Sequence, residues 1–264
     1  MDPFFYPVAL AAIAAGASMG SLGVYLVGMR MPLAALAISH AAMVGAVLGP
    51  LAGLPWLPSA LVTASLVSGA LAFFRPELGR LDPTSGLAVV FSLLMGLIFL
   101  GMSLAGRTLS LPILWGNLLS VYGPTLWAIV GSGAAVAAFL FAFSKELKAV
   151  LFSRLAARAM GVHEGLVTGL FLALTGLVIT VNVYAIGGLM IYSLVSIPAA
   201  ASFQVARGHR GALALAAAIG AVSGLAGLGA SVVFNAPTGA SIVLASVGIF
   251  ALAALYRKLR ARRD

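Results

Sequence analysis

The chain has no cysteine. That removes a disulfide framework and any thiolate metal site. It has little charge: Asp, Glu, Lys and Arg make up 8% of its residues, where a soluble globular protein carries about 25%. Acids are scarcest, with six in 264 residues: Asp2, Glu77, Asp82, Glu146, Glu164 and Asp264. Each falls in a loop or a terminus. Secondary transporters that run on protons usually keep ionisable groups within the membrane, and this chain has no acidic relay of that kind. Sodium held by carbonyls and hydroxyls stays open. The G-x-x-x-x-G-K-[ST] phosphate loop is missing too, so if ATP drives this protein, another chain binds it. An intramembrane hydrolase needs a nucleophile with a base, or a cluster of metal ligands. The only histidines are His40, His163 and His209, and one buried histidine without a carboxylate makes no catalytic site. The chain therefore reads as a non-enzyme. Its start, "MDPFFYPVAL", lacks the basic segment of a signal peptide, so the first apolar run is expected to be a retained span.

What is present is hydrophobicity, at 62% of the residues. Apolar runs of roughly 18 to 23 residues suffice to cross a bilayer as helices. Barrel strands would be shorter and would alternate. The expected fold is all-α: one polytopic transmembrane helix bundle over residues 1–264, with eight or nine spans. They are expected at Tyr6–Gly28, Pro32–Gly49, Leu57–Phe74, Gly86–Ala105, Pro124–Phe143, Gly165–Tyr184, Gly187–Ala206, Ala212–Phe234 and Gly239–Tyr256. The segment Leu111–Gly123, "LPILWGNLLSVYG", is apolar but too short to span, and reads as a half-helix or an interfacial piece. The sixth and seventh spans nearly touch at "NVYAIGG", so one of them can be a partial helix. No internal repeat stands out.

The formal charge of +9 would suggest nucleic acid in a soluble protein. Here the basic residues read as topology signals, and no nucleic-acid partner is expected. With nine crossings, Arg30, Arg75, Arg80, Lys145, Lys148, Arg154, Arg158, Arg207, Arg210 and the closing "YRKLRARRD" share one face, and only Arg107 takes the other. The positive-inside rule makes the basic face cytoplasmic, with the C-terminus inside. Small residues recur at a spacing of four in "GASMG" (Gly16–Gly20) and "GAVSG" (Gly220–Gly224), which suits close helix packing.

Two loops on the basic face are built differently from plain connectors. "FSRLAARAMGVHEG" mixes Phe152, Leu155 and Met160 with Arg154 and Arg158, at spacings that suit a short amphipathic helix ended by Gly161. "IPAAASFQVARGHRG" carries Pro198, expected to break or kink the span end, then Gln204, Arg207, His209 and Arg210. Ordinary loops with topogenic charges would also look like this.

The sequence resembles a known family along most of its length. "RMPLAALAISHAAMVGAVLG" (Arg30–Gly49), "LWGNLLSV" (Leu114–Val121), "FSRLAARAMGV" (Phe152–Val162), "GGLMIYSLVSIPAAAS" (Gly187–Ser202) and "FNAPTGASIVL" (Phe234–Leu244) resemble, in that order, elements of the membrane permeases of ATP-binding-cassette importers for zinc, manganese and iron. The resemblance implies the permease fold of those importers, a plasma (inner) membrane location and a homodimer. It implies two cytoplasmic ATPase subunits that bind ATP and magnesium, and an extracytoplasmic substrate-binding protein. It implies no cofactor in this chain and a transported divalent metal. It also turns the two loops into candidate ATPase-coupling surfaces, with Phe152, Arg154, Ala157, Gly161, Pro198, Gln204, Arg207 and Arg210 as the residues concerned.

In that family an Asp and a His lie four residues apart on the second span, and so share a helix face. His40 matches the histidine. Leu36 stands where the aspartate is expected, and Ala35 where a glycine precedes it. A leucine cannot balance the charge of a dehydrating dication. Imidazole suits zinc, iron or copper better than calcium or magnesium. Met43 offers a thioether three residues on, with Met31, Met95 and Met190 elsewhere, and Ser39 and Asn117 offer neutral oxygens. His40 then has three readings: a reduced metal site, a wall of a path for other cargo such as a metal chelate, or a structural histidine. A permease-like scaffold that has lost transport is the rival from another class.

Overall fold

The computed structural model describes residues 5–73, 83–105, 114 and 116–260. Asp2, Arg75, Glu77, Arg80, Asp82, Arg107, Asp264 and part of the segment before Gly116 lie outside them. The described residues form helices joined by short turns, with no strand among them. In chain order the α-helices are α1 (Phe5–Gly28), α2 (Pro32–Leu51), α3 (Trp56–Phe73), α4 (Pro83–Ala105), α5 (Gly123–Ala142), α6 (Ser144–Phe152), α7 (Arg154–Ala159), α8 (Glu164–Ile186), α9 (Gly188–Val205), α10 (His209–Phe234) and α11 (Thr238–Arg260). Seven of these are long and apolar enough to cross a membrane. The apolar parts of α3 and α9, Trp56–Ala72 and Met190–Val205, are shorter. The expected spans agree with these elements to within a few residues.

Three expectations bear on the helix ends and connections. Pro198 does not end its helix: α9 runs on to Val205. A proline in a helix interior forfeits one backbone bond, and here it lies buried against the tightly packed Gly20 of α1. Neither is the sixth or seventh span a half-helix. α8 and α9 are continuous and meet at Gly187, whose φ of 92° only glycine adopts readily. The described part of the segment before α5 is partly buried, with Asn117 and Tyr122 exposed. It folds as a 3₁₀ turn, Leu118–Ser120, with Leu118 and Val121 fully buried.

The pairing of α1 with α10 shows what the small residues do. A Cβ on Gly16 would overlap the Gly220 carbonyl, one on Gly220 would overlap that of Gly16, and one on Gly224 would lie 2.5 Å from the Ala12 carbonyl oxygen. The two backbones touch along three turns, the close approach that small residues permit. α2 is the most enclosed helix. It packs on α3, α4, α8 and α9, and fourteen of its twenty residues are buried.

Side-chain bonds sort the connections into two ends. At one end Arg154 Nη2 reaches Met31 Sδ (3.6 Å), His209 Nε2 lies 3.0 Å from the Tyr25 hydroxyl, and Arg257 Nη1 donates to Gln204 Oε1 (2.7 Å). At the other, the Asn117 N–H donates to the Tyr184 carbonyl (3.1 Å), the Leu118 N–H donates to Thr238 Oγ1 (3.3 Å), and the Trp56 and Tyr184 rings lie 5.8 Å apart. The first end gathers Arg154, His209, Arg210 and Arg257, described residues from the face that the alternation of spans had made basic.

Candidate functional site

His40 lies in the ninth position of α2, about 12 Å along the axis from Pro32 and about 16 Å from Leu51 at 1.5 Å per residue. It is therefore near mid-span. Only 1% of it is exposed. Nδ1 stands 2.8 Å from the Leu36 carbonyl oxygen. A carbonyl can only accept, so Nδ1 carries the proton and Nε2 keeps its lone pair. Ser39 Oγ donates to the same carbonyl at 2.9 Å and lies 3.3 Å from Nδ1. Phe91 of α4 meets the imidazole edge-on, with ring centroids 4.8 Å apart. The result is a fixed ring with a defined tautomer. Its buried Nε2 has no hydrogen-bond partner among the described residues. An imidazole held through one nitrogen presents the other as a ligand.

The other sequence candidates are placed as follows. Leu36 is half-buried one turn away, and its backbone rather than its side chain serves the histidine. Met43 is fully buried, with its sulfur over Gly188, the first residue of α9, where a Cβ would collide with it. It thus acts in packing α2 onto α9. Asn117 is exposed at the end of the bundle away from the basic loops. Among the described residues no three His, Asp or Glu side chains gather as a metal cluster.

The basic end carries the second candidate surface. Ser153 caps α7, its hydroxyl accepting from the Ala156 N–H at 3.2 Å. Gly161, at φ +79°, ends the turn after it. Ala157 is fully buried beneath the helix, while Phe152, Leu155 and Met160 are 83%, 77% and 65% exposed. Arg158 pairs with Glu164, leaving Arg154 to brace the α1–α2 turn through Met31. Arg207 and Arg210 are exposed between α9 and α10, and Gln204 is half-buried, bonded to Arg257. Pro198 is buried two turns inside α9, away from this surface.

Sequence reasoning missed Asn182. It is fully buried in α8, with Nδ2 donating to the Val178 carbonyl at 2.8 Å and Oδ1 without a partner among the described residues. A lone amide inside "LVITVNVYAI" was the available signal, since polar groups within spans are costly.

The chain resembles known proteins along its whole length. The "ABC 3 transport family" matches residues 1–257. The "Manganese transport system membrane protein MntC" of Halalkalibacterium halodurans is 29% identical, over 92% of this chain and 84% of that protein. The "Manganese import system permease protein ScaB" of Streptococcus gordonii is 28% identical, over 94% of this chain and 89% of that one. Among solved structures, PsaBC from Streptococcus pneumoniae in complex with Fab superposes with a TM-score of 0.85, at 26% identity, over 98% of this chain and 95% of that chain. A putative metal-chelate type ABC transporter in an inward-facing conformation shares the fold alone, with a TM-score of 0.76 at 19% identity. With a matched region that takes in every described helix but the last turn of α11, the chain belongs to the ABC 3 transport family.

Proposed function

We propose that the chain is the membrane permease of an ATP-driven importer of a divalent transition metal, with manganese the first candidate among manganese, zinc and iron. One observation carries the reading: likeness over 92–94% of the chain to permeases named for manganese transport. The local geometry supports it, because α2 carries a buried imidazole with a free Nε2 near mid-span. In this reading two copies of the chain pair in the plasma membrane with the basic end and the C-terminus in the cytoplasm. Two separate ATPase subunits bind ATP and magnesium there, and a binding protein delivers metal at the opposite end. Phe152, Arg154, Ala157 and Gly161 form or shape one coupling surface. Gln204, Arg207 and Arg210 form the other, with Pro198 fixing the helix that leads to it. His40 meets the cation through Nε2, while Ser39 and the Leu36 carbonyl hold the ring; Met43 and Asn117 flank the path.

Leu36 favours a second reading, in which the same fold carries a metal chelate that needs no carboxylate from the wall. The test is uptake by the reconstituted complex, permease with ATPase and loaded binding protein, offered manganese, zinc or iron in turn. One metal is expected to stimulate turnover, and His40→Ala to lose uptake while the complex stays assembled. Uptake by the permease alone, without ATPase, would defeat the assignment. Turnover indifferent to every free metal, with a silent His40→Ala, would move the reading to chelated cargo.

A further inference from the structure

Asn182 sits four residues before the end of α8, about 6 Å along the axis from Ile186. Its side chain is fully buried, as are Val178, Ile179 and Ile186 on the same helix face. The amide nitrogen is used by the Val178 carbonyl, which fixes the flip and leaves Oδ1 as a bare acceptor. Such an atom costs about 1–3 kcal/mol if it stays unmet, and each one in a folded protein calls for a reason. A second observation bears on it. The last carbonyls of α8 form the negative end of the helix dipole, which favours a cation. The closure lies just above: the Asn117 N–H is held by the Tyr184 carbonyl, and Gly116 presses on Ile186 so closely that a Cβ would collide with its backbone. Tyr184 also meets Trp56, the first residue of α3, so the ends of α3 and α8 are level. Thr63 Oγ1 of α3 donates to the Ala41 carbonyl next to His40 (2.7 Å). Met43, three residues on from His40, packs on Gly188 just past the end of α8, so His40 lies only a few ångströms deeper than Asn182 along the bundle axis.

We propose that Asn182 Oδ1 is a cation acceptor beneath the outer closure, a second station on the metal path at nearly the depth of His40. This rests on the transport reading above and adds a site to it. Both stations are neutral, and each offers one unpaired acceptor, His40 Nε2 or Asn182 Oδ1, fixed by a hydrogen bond from an N–H of the same side chain to a helix carbonyl. A cation that sheds water there is held weakly and passes on, whereas a carboxylate would hold it.

The test uses the assembled complex in proteoliposomes with manganese delivered by the binding protein. Asn182→Leu keeps the volume and removes the oxygen; it is expected to raise the KM for manganese roughly fivefold or more, the effect of losing one buried polar contact. Asn182→Asp keeps the shape and adds charge; it is expected to lower KM and kcat together. Ser223→Ala removes another buried oxygen without a partner, on α10, which does not pack on α8, and is expected to leave KM within twofold. KM values for Asn182→Leu and Asn182→Asp both within twofold of wild type would overturn the proposal. So would an equal shift in Ser223→Ala, which would mean that loosened packing is the cause. Manganese protection of Asn182→Cys from a small thiol reagent is read without ATP, in a chain with no other cysteine. Protection supports the acceptor, and its absence overturns it even where uptake is normal. Failure of wild-type uptake would count against the transport reading instead.

Discussion

Leu36→Asp is the most informative single change in α2. The new carboxylate would stand one turn from His40 on the same face, where Cβ atoms are about 5–6 Å apart. A dication held by Nε2 would then lie within about 4 Å of it. At an effective dielectric constant of about 20, two unit charges at that distance attract by about 4 kcal/mol, and a dication by about twice that. Holding a charged carboxylate within a span costs about 2.5–3.5 kcal/mol, which leaves a surplus of about 4.5–5.5 kcal/mol. Metal-bound water and residual hydration shield much of this, and even under a third of it, about 1.4 kcal/mol, is tenfold in affinity. The expected outcome is therefore at least tenfold tighter manganese binding by the solubilised permease, with slower release and a lower kcat in transport. Equilibrium manganese binding and uptake against concentration are the two assays. The Leu36 backbone carbonyl that fixes His40 is retained, so a change in affinity reports the added charge. An affinity within twofold of wild type, in an assembled variant, would refute the idea that this face of α2 lines the metal path.

Three further outcomes follow from the packing. Gly224→Ala places a Cβ 2.5 Å from the Ala12 carbonyl oxygen, where about 3.3 Å is the close limit; α1 and α10 must part, and a loss of about 1–3 kcal/mol is expected as earlier thermal unfolding in detergent. Phe152→Ala combined with Leu155→Ala removes two exposed side chains, so the permease should stay as stable as wild type. If α7 docks the ATPase, loss of these anchors weakens that complex about tenfold or more, measured by co-purification and by metal-stimulated ATPase activity. Ser153→Ala deletes the hydroxyl that receives the Ala156 N–H; loss of such a cap costs about 1 kcal/mol, to be seen as roughly fivefold faster amide exchange confined to α7.

Most of the fold was legible because lipid simplifies the code. A run of apolar residues long enough to span has to be helical, since no other element satisfies its backbone. Glycines marked the ends: Gly28 closed the first span in the sequence and closes α1 in the structure, and Gly187, which opened the seventh span, stands between α8 and α9. Pro198 does not stop α9, because proline's effect on a helix is local, while the surrounding contacts of α9 with α1, α2, α10 and α11 hold its course. Leu118 and Val121 misled because an apolar segment too short to span can be buried by the protein itself as well as by the interface. At the site, the spacing of Leu36 and His40 along one helix was readable. The tautomer was not, because it depends on a backbone carbonyl brought into line by the helix. Asn182 was overlooked because the search was for ligands of high affinity, and an amide among valines does not look like one.

The geometry also says which parts of this bundle can move. Where α1 meets α10 the contact is backbone on backbone, with Gly16 and Gly220 each lying where the other's side chain would be. Sliding one helix past the other would drive Ala12 and Ala216, beside the same seam, into main-chain atoms. Packed interfaces of this kind have discrete arrangements rather than a continuous range, so α1 and α10 travel as one body. The side-chain bonds at the basic end are of another kind. Tyr25 with His209 and Gln204 with Arg257 are hydrogen bonds worth about 0.5–1.5 kcal/mol each, somewhat more where the guanidinium is the donor. Reversing a two-state equilibrium from 1:99 to 99:1 takes about 5.5 kcal/mol, so these two bonds alone do not hold that end shut. At the opposite end side chains pack between neighbouring helices, such as Met43 of α2 over Gly188 of α9. Alternating access in this chain is therefore expected to open along seams filled by flexible side chains, with the glycine-lined pair rotating as a unit.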